Sequence, residues 1–190
     1  MAKKLFYPFI IAGVVLIWVF FFYNDNFSNQ GILDKVTSRE GYVLNLVREN
    51  EPVKFFIKPE WIQLNENGEK ELDIELTEKN NTTIILDGTF MRDDNIISFS
   101  FDTSYEMDYG AGRFLYNGIF DPNGTYYTQT SHKNYYLYNE NGDEIEIGSV
   151  GQGPESAFGF EIESEDVALI KNGFYVEYSG FYLYEYYKDG

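Results

Sequence analysis

The sequence predicts an all-β domain, an antiparallel two-sheet sandwich with one short helix, preceded by an N-terminal transmembrane helix. Three observations predict it. Aromatic residues make up 19% of the chain, with 17 Tyr and 17 Phe, and such rings favour pleated, half-buried surfaces. From Tyr42 onwards the apolar residues recur with a period close to two, the mark of strands with one dry and one wet face. Before that, Leu5 to Tyr23 carries no charge at all.

That opening run, LFYPFIIAGVVLIWVFFFY, would measure roughly 28 Å as a helix, close to the hydrocarbon thickness of a bilayer. Trp18 and Tyr23 lie towards its far end, where interfacial aromatic belts sit. Lys3 and Lys4 precede it and Asn24-Asp25-Asn26 follow, so the positive-inside rule predicts a cytoplasmic N-terminus and an extracytoplasmic body. Phe-Phe-Phe-Tyr-Asn-Asp-Asn-Phe after the core contains no small-residue cleavage site, which favours an uncleaved anchor over a signal peptide. The expected organisation is a cytoplasmic stub and anchor over 1–23, a tether over 24–41 and an extracytoplasmic domain over 42–190. Residues 5–23 would then contact the bilayer, as a single-pass protein of the cell membrane.

The body reads as strands separated by turns. Leu72, Ile74 and Leu76 alternate with polar neighbours, as do Ile97, Phe99 and Phe101, then Ile145 and Ile147, then Phe158, Phe160 and Ile162. Turn signals stand at Asn67-Gly68, Asp87-Gly88, Asn123-Gly124, Asn141-Gly142 and Asn172-Gly173. One helix is expected between Ser164, as its cap, and Gly173, as its left-handed close. A helical turn before a strand carrying Gly-Phe-Tyr175 resembles the tyrosine corner of immunoglobulin-like sandwiches. The sequence departs from that pattern at Glu177, where a core residue is expected. The resemblance implies an immunoglobulin-like sandwich rather than a barrel.

Composition narrows the chemistry. No cysteine is present, so disulfides, thiolate nucleophiles and zinc–thiolate sites are ruled out. An exported domain without disulfides fits a bacterial cell envelope. The formal charge is −17. Beyond Lys3 and Lys4 the chain holds 12 basic and 31 acidic residues, a net of −19, which repels nucleic acid and excludes it as a partner. The Asn-x-Ser/Thr triplets at Asn26, Asn80, Asn81 and Asn123 are read as chance in an Asn-rich chain.

No catalytic constellation stands out. His132 is the sole histidine, in a polar Ser-His-Lys stretch that reads as a solvated loop. The acidic residues are too many for any carboxylate pair to be diagnostic of a glycosidase. Asp121-Pro-Asn123-Gly124 and Asn139 to Asp143 offer oxygen ligands for calcium, but neither completes the twelve-residue loop, and plain hairpin turns are favoured. No cofactor is expected. Gly148 to Pro154 reads as a flexible loop rather than a phosphate cradle, and Gly110 and Gly112 as places of close backbone approach.

The candidate binding face is aromatic. In Phe181-Tyr-Leu-Tyr-Glu-Tyr-Tyr187, Phe181 and Leu183 share one face and Tyr182, Tyr184 and Tyr186 the other; Tyr136 and Tyr138 flank Leu137 in the same way. With the Phe/Leu face in the core, a tyrosine stripe faces outwards, where it suits protein partners or sugar rings. The alternative is that both faces are covered. The expected function is a membrane-anchored, non-enzymatic interaction module with a protein partner at the outer face. A carbohydrate or cell-wall glycan binder using the tyrosines is the alternative, and a hydrolase is the least favoured class.

Overall fold

The computed structural model describes residues 3–64, 68–121, 125–129, 131–153 and 156–190, with the side chains of residues 3–11 outside the description. The architecture is mostly β. Two antiparallel sheets face each other across a core of Phe, Ile, Leu and Val. One sheet runs in the order β1 (Tyr42–Ile57), β12 (Phe174–Lys188), β8 (Tyr135–Asn139), β9 (Glu144–Ile145), with β5 (Ala111–Tyr116) also paired to β12. The other runs β10 (Val150–Gln152), β11 (Phe158–Ile162), β4 (Ile97–Tyr105), β3 (Thr82–Met91), β2 (Gly68–Lys79). A two-stranded ribbon joins β6 (Ile119–Phe120) to β7 (Tyr126–Tyr127).

The period-two runs become these strands because each places its apolar set in the core. Ile97, Phe99 and Phe101 on β4, and Phe158, Phe160 and Ile162 on β11, are all buried. Phe99 meets Phe174 edge-on at 5.3 Å and Phe101 meets Phe55 at 5.4 Å, so rings from both sheets interlock. Leu72, Ile74 and Leu76 on the edge strand β2 are only half-buried, packed against the same core. The predicted helix before Gly173 is a single 3-10 turn, Val167–Ile170, closed by Gly173 at φ +88°. Ser164 does not cap it; Asp166 occupies that position.

Several turn and loop expectations are corrected. Asp87-Gly88 is not a hairpin turn but lies inside β3, at a register shift against β4. A Cβ on Gly88 would stand 2.9 Å from the Lys70 carbonyl oxygen, so the glycine serves a close strand approach. The turn between β2 and β3 is instead Asn80-Asn81, both left-handed at φ +52° and +56°, as a two-residue hairpin requires. Asn141-Gly142 does turn, with the Gly142 N–H donating to the Asn139 carbonyl. Asn67 and Asn123-Gly124 lie outside the described residues. The Gly148–Gln152 stretch is not a free loop, since Val150 to Gln152 pair with β11; Pro154 lies outside the described residues.

The segment expected to be a tether carries helix α2 (Asn29–Ser38). Ser28 caps it, its side chain accepting from the Gly31 N–H at 3.0 Å, and Ile32, Leu33 and Val36 are buried. These pack with Tyr42, Leu44, Phe114, Tyr184 and Tyr186 as a second core on the outer side of the first sheet. Before it, α1 runs Lys3–Phe27. A Cβ on Gly31 would meet the Asp25 carbonyl oxygen at 2.6 Å, which shows how closely the two helices approach. Among the described residues no helix is long and apolar enough to cross a membrane. The first part of the expected span 5–23, with Lys3 and Lys4, has side chains outside the description, so the transmembrane expectation is not supported by the fold as described.

At the open edge of the sandwich, β1 and β2 are tied by Glu51. Its side chain is 7% exposed, and Lys79 Nζ reaches Oε1 at 2.8 Å while Arg48 reaches Oε2 at 2.8 Å. The hydrogen bond from Lys79, with that from Arg48, holds the Glu51 carboxyl below its ordinary range against the opposing effect of burial. A folded-state value below the unfolded one stabilises above the ordinary carboxylate range, and that stability is lost as pH falls through the depressed value. Lys79→Met is therefore expected to lower stability by about 1–3 kcal/mol at neutral pH. Urea denaturation at neutral and acid pH should show the gap between wild type and Lys79→Met closing as Glu51 protonates.

Candidate binding face

β12 is the central strand of the first sheet, and its side chains change allegiance part-way along. Phe174, Val176 and Tyr178 point into the main core. Between the pairs Val53/Tyr178 and Glu51/Phe181 the register against β1 shifts, a bulge that takes in Ser179 and Gly180. A Cβ on Gly180 would run into the Tyr178 ring. Beyond the bulge the odd-numbered Phe181 and Leu183 enter the main core, and Tyr184 and Tyr186 enter the second one.

The expected outward stripe is accordingly corrected. Tyr184 and Tyr186 are 2% and 1% exposed, and Tyr182 is half-buried beside them. Helix α2 and the β6–β7 ribbon cover this half of the sheet, with Phe114 and Tyr116 of the neighbouring strand β5 beside the tyrosines. The hydroxyls find backbone partners within it, as buried tyrosines need: Tyr184 donates to the Gly118 carbonyl at 3.0 Å and accepts from the Phe120 N–H at 3.2 Å. Tyr186 donates to the Asp108 carbonyl and accepts from the Asp108 N–H. Burial pushes both phenols up to about 12. Gly112 lies against the Tyr186 ring, where a Cβ would stand 2.7 Å from its hydroxyl, so the close approach expected there is to the protein's own side chain.

The other half of the same outer face is open. Tyr136 is 46% exposed, Tyr138 is half-buried, and Leu137 between them is buried. Strand register brings them into a grid: Phe56, Tyr175 and Tyr138 stand side by side across β1, β12 and β8, with Lys54, Glu177 and Tyr136 forming the next row. Phe56 and Tyr175 rings lie 4.8 Å apart, Tyr175 and Tyr138 stack at 5.2 Å and 20°, and Tyr138 and Tyr136 lie 5.3 Å apart. Lys54 Nζ sits 5.0 Å and 5.3 Å over the Tyr138 and Tyr175 rings and 3.1 Å from Glu177 Oε1. Tyr138 donates to the same carboxylate oxygen at 3.2 Å. The Tyr138 hydroxyl, with Glu177, raises the Lys54 ammonium above its ordinary value. No family model, curated protein or solved structure matches the chain.

Thus Tyr136 and Tyr138 form a face together, while Tyr182, Tyr184 and Tyr186 belong elsewhere. Sequence reasoning missed Phe56, Lys54 and Glu177, and read Tyr175 as a corner residue. The signal for Phe56 was available: Val53, Phe55 and Ile57 alternate into the core, which leaves a phenylalanine on the wet face. Chemically, the grid offers half-buried rings, the exposed Tyr136 ring and the Lys54–Glu177 ion pair.

The other expected sites are ordinary in the structure. His132 Nε2 donates to the Gly148 carbonyl at 2.7 Å on an exposed turn. Asn139 Oδ1 accepts from the N–H groups of Asn141 and Asp143, so the oxygen offered for calcium closes a hairpin instead. Asp121 accepts from Thr125, and 122–124 lie outside the described residues.

Proposed function

We propose that the chain is a membrane-anchored, extracytoplasmic, non-enzymatic interaction module of a bacterial envelope that engages a protein partner through Phe56, Tyr175, Tyr138 and Tyr136. The carrying observation is the in-register row of Phe56, Tyr175 and Tyr138 on the open half of the sheet, with the exposed Tyr136 in the row beside it. Large, rigid, amphipathic side chains beside one charged pair are the composition of protein interface anchors. The reading needs two sheets and this face; it does not need the finer immunoglobulin-like form.

The anchor part rests on the uncharged run 5–23 and on its neighbours in space. Leu16, Trp18, Phe20 and Phe21 are each 64–69% exposed, on all sides of a helix whose body offers them no cover. A helix apolar all round is otherwise buried in a large core or in lipid. Deleting residues 1–23 is expected to move the protein from the carbonate-resistant membrane fraction to the soluble one; an unchanged distribution would refute anchoring.

Replacing Tyr136 with a photocrosslinking phenylalanine analogue in intact cells should capture a discrete protein adduct, and Lys54→Glu should reduce its yield several-fold. Carbohydrate is the second reading, favoured by the exposure of the Tyr136 ring. Retention of the chain on isolated wall glycan, lost in Tyr136→Ala, with no protein adduct, would select it instead.

A further inference from the structure

A cleft of about 640 Å³ opens between α2 and the strands β4 to β7, on the opposite half of the sheet from the aromatic row. That volume is in the range of small-molecule sites. Its aromatic wall is built from Tyr105, Tyr116, Phe120 and Tyr126. Tyr116 is the hub: Phe120 lies 4.5 Å away, Tyr126 5.6 Å away at 84°, and Tyr105 6.3 Å away at 22°. A wall of aromatic rings is the lining that a cation favours over an anion.

Charge decides the ligand class. Among the described residues that line the cleft, Asp34 carries the one formal charge, and no Lys, Arg or His lines it. Asp34 lies one helical turn from Gln30, whose amide donates to its Oδ1 at 2.8 Å. An anion would meet a carboxylate and an aromatic wall in a protein of charge −17. A neutral ligand would leave the charge of Asp34 unused. We propose that this cleft binds a compact organic cation, an alkyl- or quaternary ammonium group, seated against Tyr105, Tyr116, Phe120 and Tyr126 with its charge balanced by Asp34. The site depends on neither the anchor nor the aromatic row.

The test is calorimetric titration of the full chain in neutral detergent micelles. Choline is expected to bind with a dissociation constant in the millimolar range or tighter, and its neutral isostere 3,3-dimethylbutanol at least roughly tenfold more weakly. Phosphocholine, whose phosphate meets no cation among the described lining residues, should bind more weakly than choline. Asp34→Asn and Tyr126→Ala, both at exposed positions, should each weaken choline about fivefold without altering the thermal transition. Equal affinity for the neutral isostere, or choline affinity untouched by both substitutions, would overturn the proposal. So would the absence of any choline heat at about 50 mM.

Discussion

Phe101→Ala is expected to lower the free energy of unfolding by about 3–5 kcal/mol. The ring is 1% exposed and stands where both sheets meet. It stacks on Phe158 at 5.0 Å and on Phe160 at 5.6 Å within its own sheet, and meets Phe55 of the facing sheet at 5.4 Å. Truncation removes the transfer free energy of a phenyl group and leaves a cavity walled by three rings that cannot all move inwards. Domains of this size are stable by about 5–15 kcal/mol, so the loss would consume a large share. Urea denaturation of Phe101→Ala and Phe101→Leu reads it, with leucine costing much less because it fills most of the space. A loss below about 1 kcal/mol for alanine would mean that the sheets are not packed through this residue.

Alkaline pH should unfold the protein through Tyr184 and Tyr186. Desolvation is the main cause that raises both to about 12 in the folded state, while in the unfolded chain a phenol ionises near 10. A raised folded-state value means that the stability is whole below the unfolded value and is lost as pH rises towards the folded one. The loss is on the order of 2 kcal/mol per tyrosine by about pH 12. Stability measured by denaturant titration from pH 8 to 12 should fall accordingly, with delayed phenolate absorbance. Tyr186→Phe should cost about 1–2 kcal/mol at neutral pH, since it strips both partners from the Asp108 peptide, and should flatten the alkaline decline. A variant with wild-type stability and an unchanged alkaline slope would contradict the buried assignment.

The strands with a strict period of two were legible because β4 and β11 are sandwiched, and every second residue had to be apolar. α2 was legible only in hindsight. Ile32, Leu33 and Val36 after a Ser28 cap have helical spacing, but ten residues give little periodicity to set against so polar a neighbourhood. The tyrosines divided for a different reason. Alternation correctly separated Phe181 and Leu183 from Tyr182, Tyr184 and Tyr186, yet it could not say what lay on the far side of the sheet. That cover comes from α2 and from the β6–β7 ribbon, which are distant in sequence. The row of Phe56, Tyr175 and Tyr138 was equally hidden, because it exists only once the register of three strands is fixed. Asp87-Gly88 carried a hairpin signal that sheet pairing overrode.

β12 pairs with β1, β5 and β8, and the ladder with β1 runs from Tyr42 opposite Lys188 to Ile57 opposite Phe174. The middle of one sheet is therefore supplied by residues more than a hundred positions further along the chain than those of its β1 edge. Closing so long an excursion is entropically slow. Until it closes, β1, β5 and β8 have no common neighbour to hold them. The first sheet therefore sets into shape only when β12 has joined β1, β5 and β8.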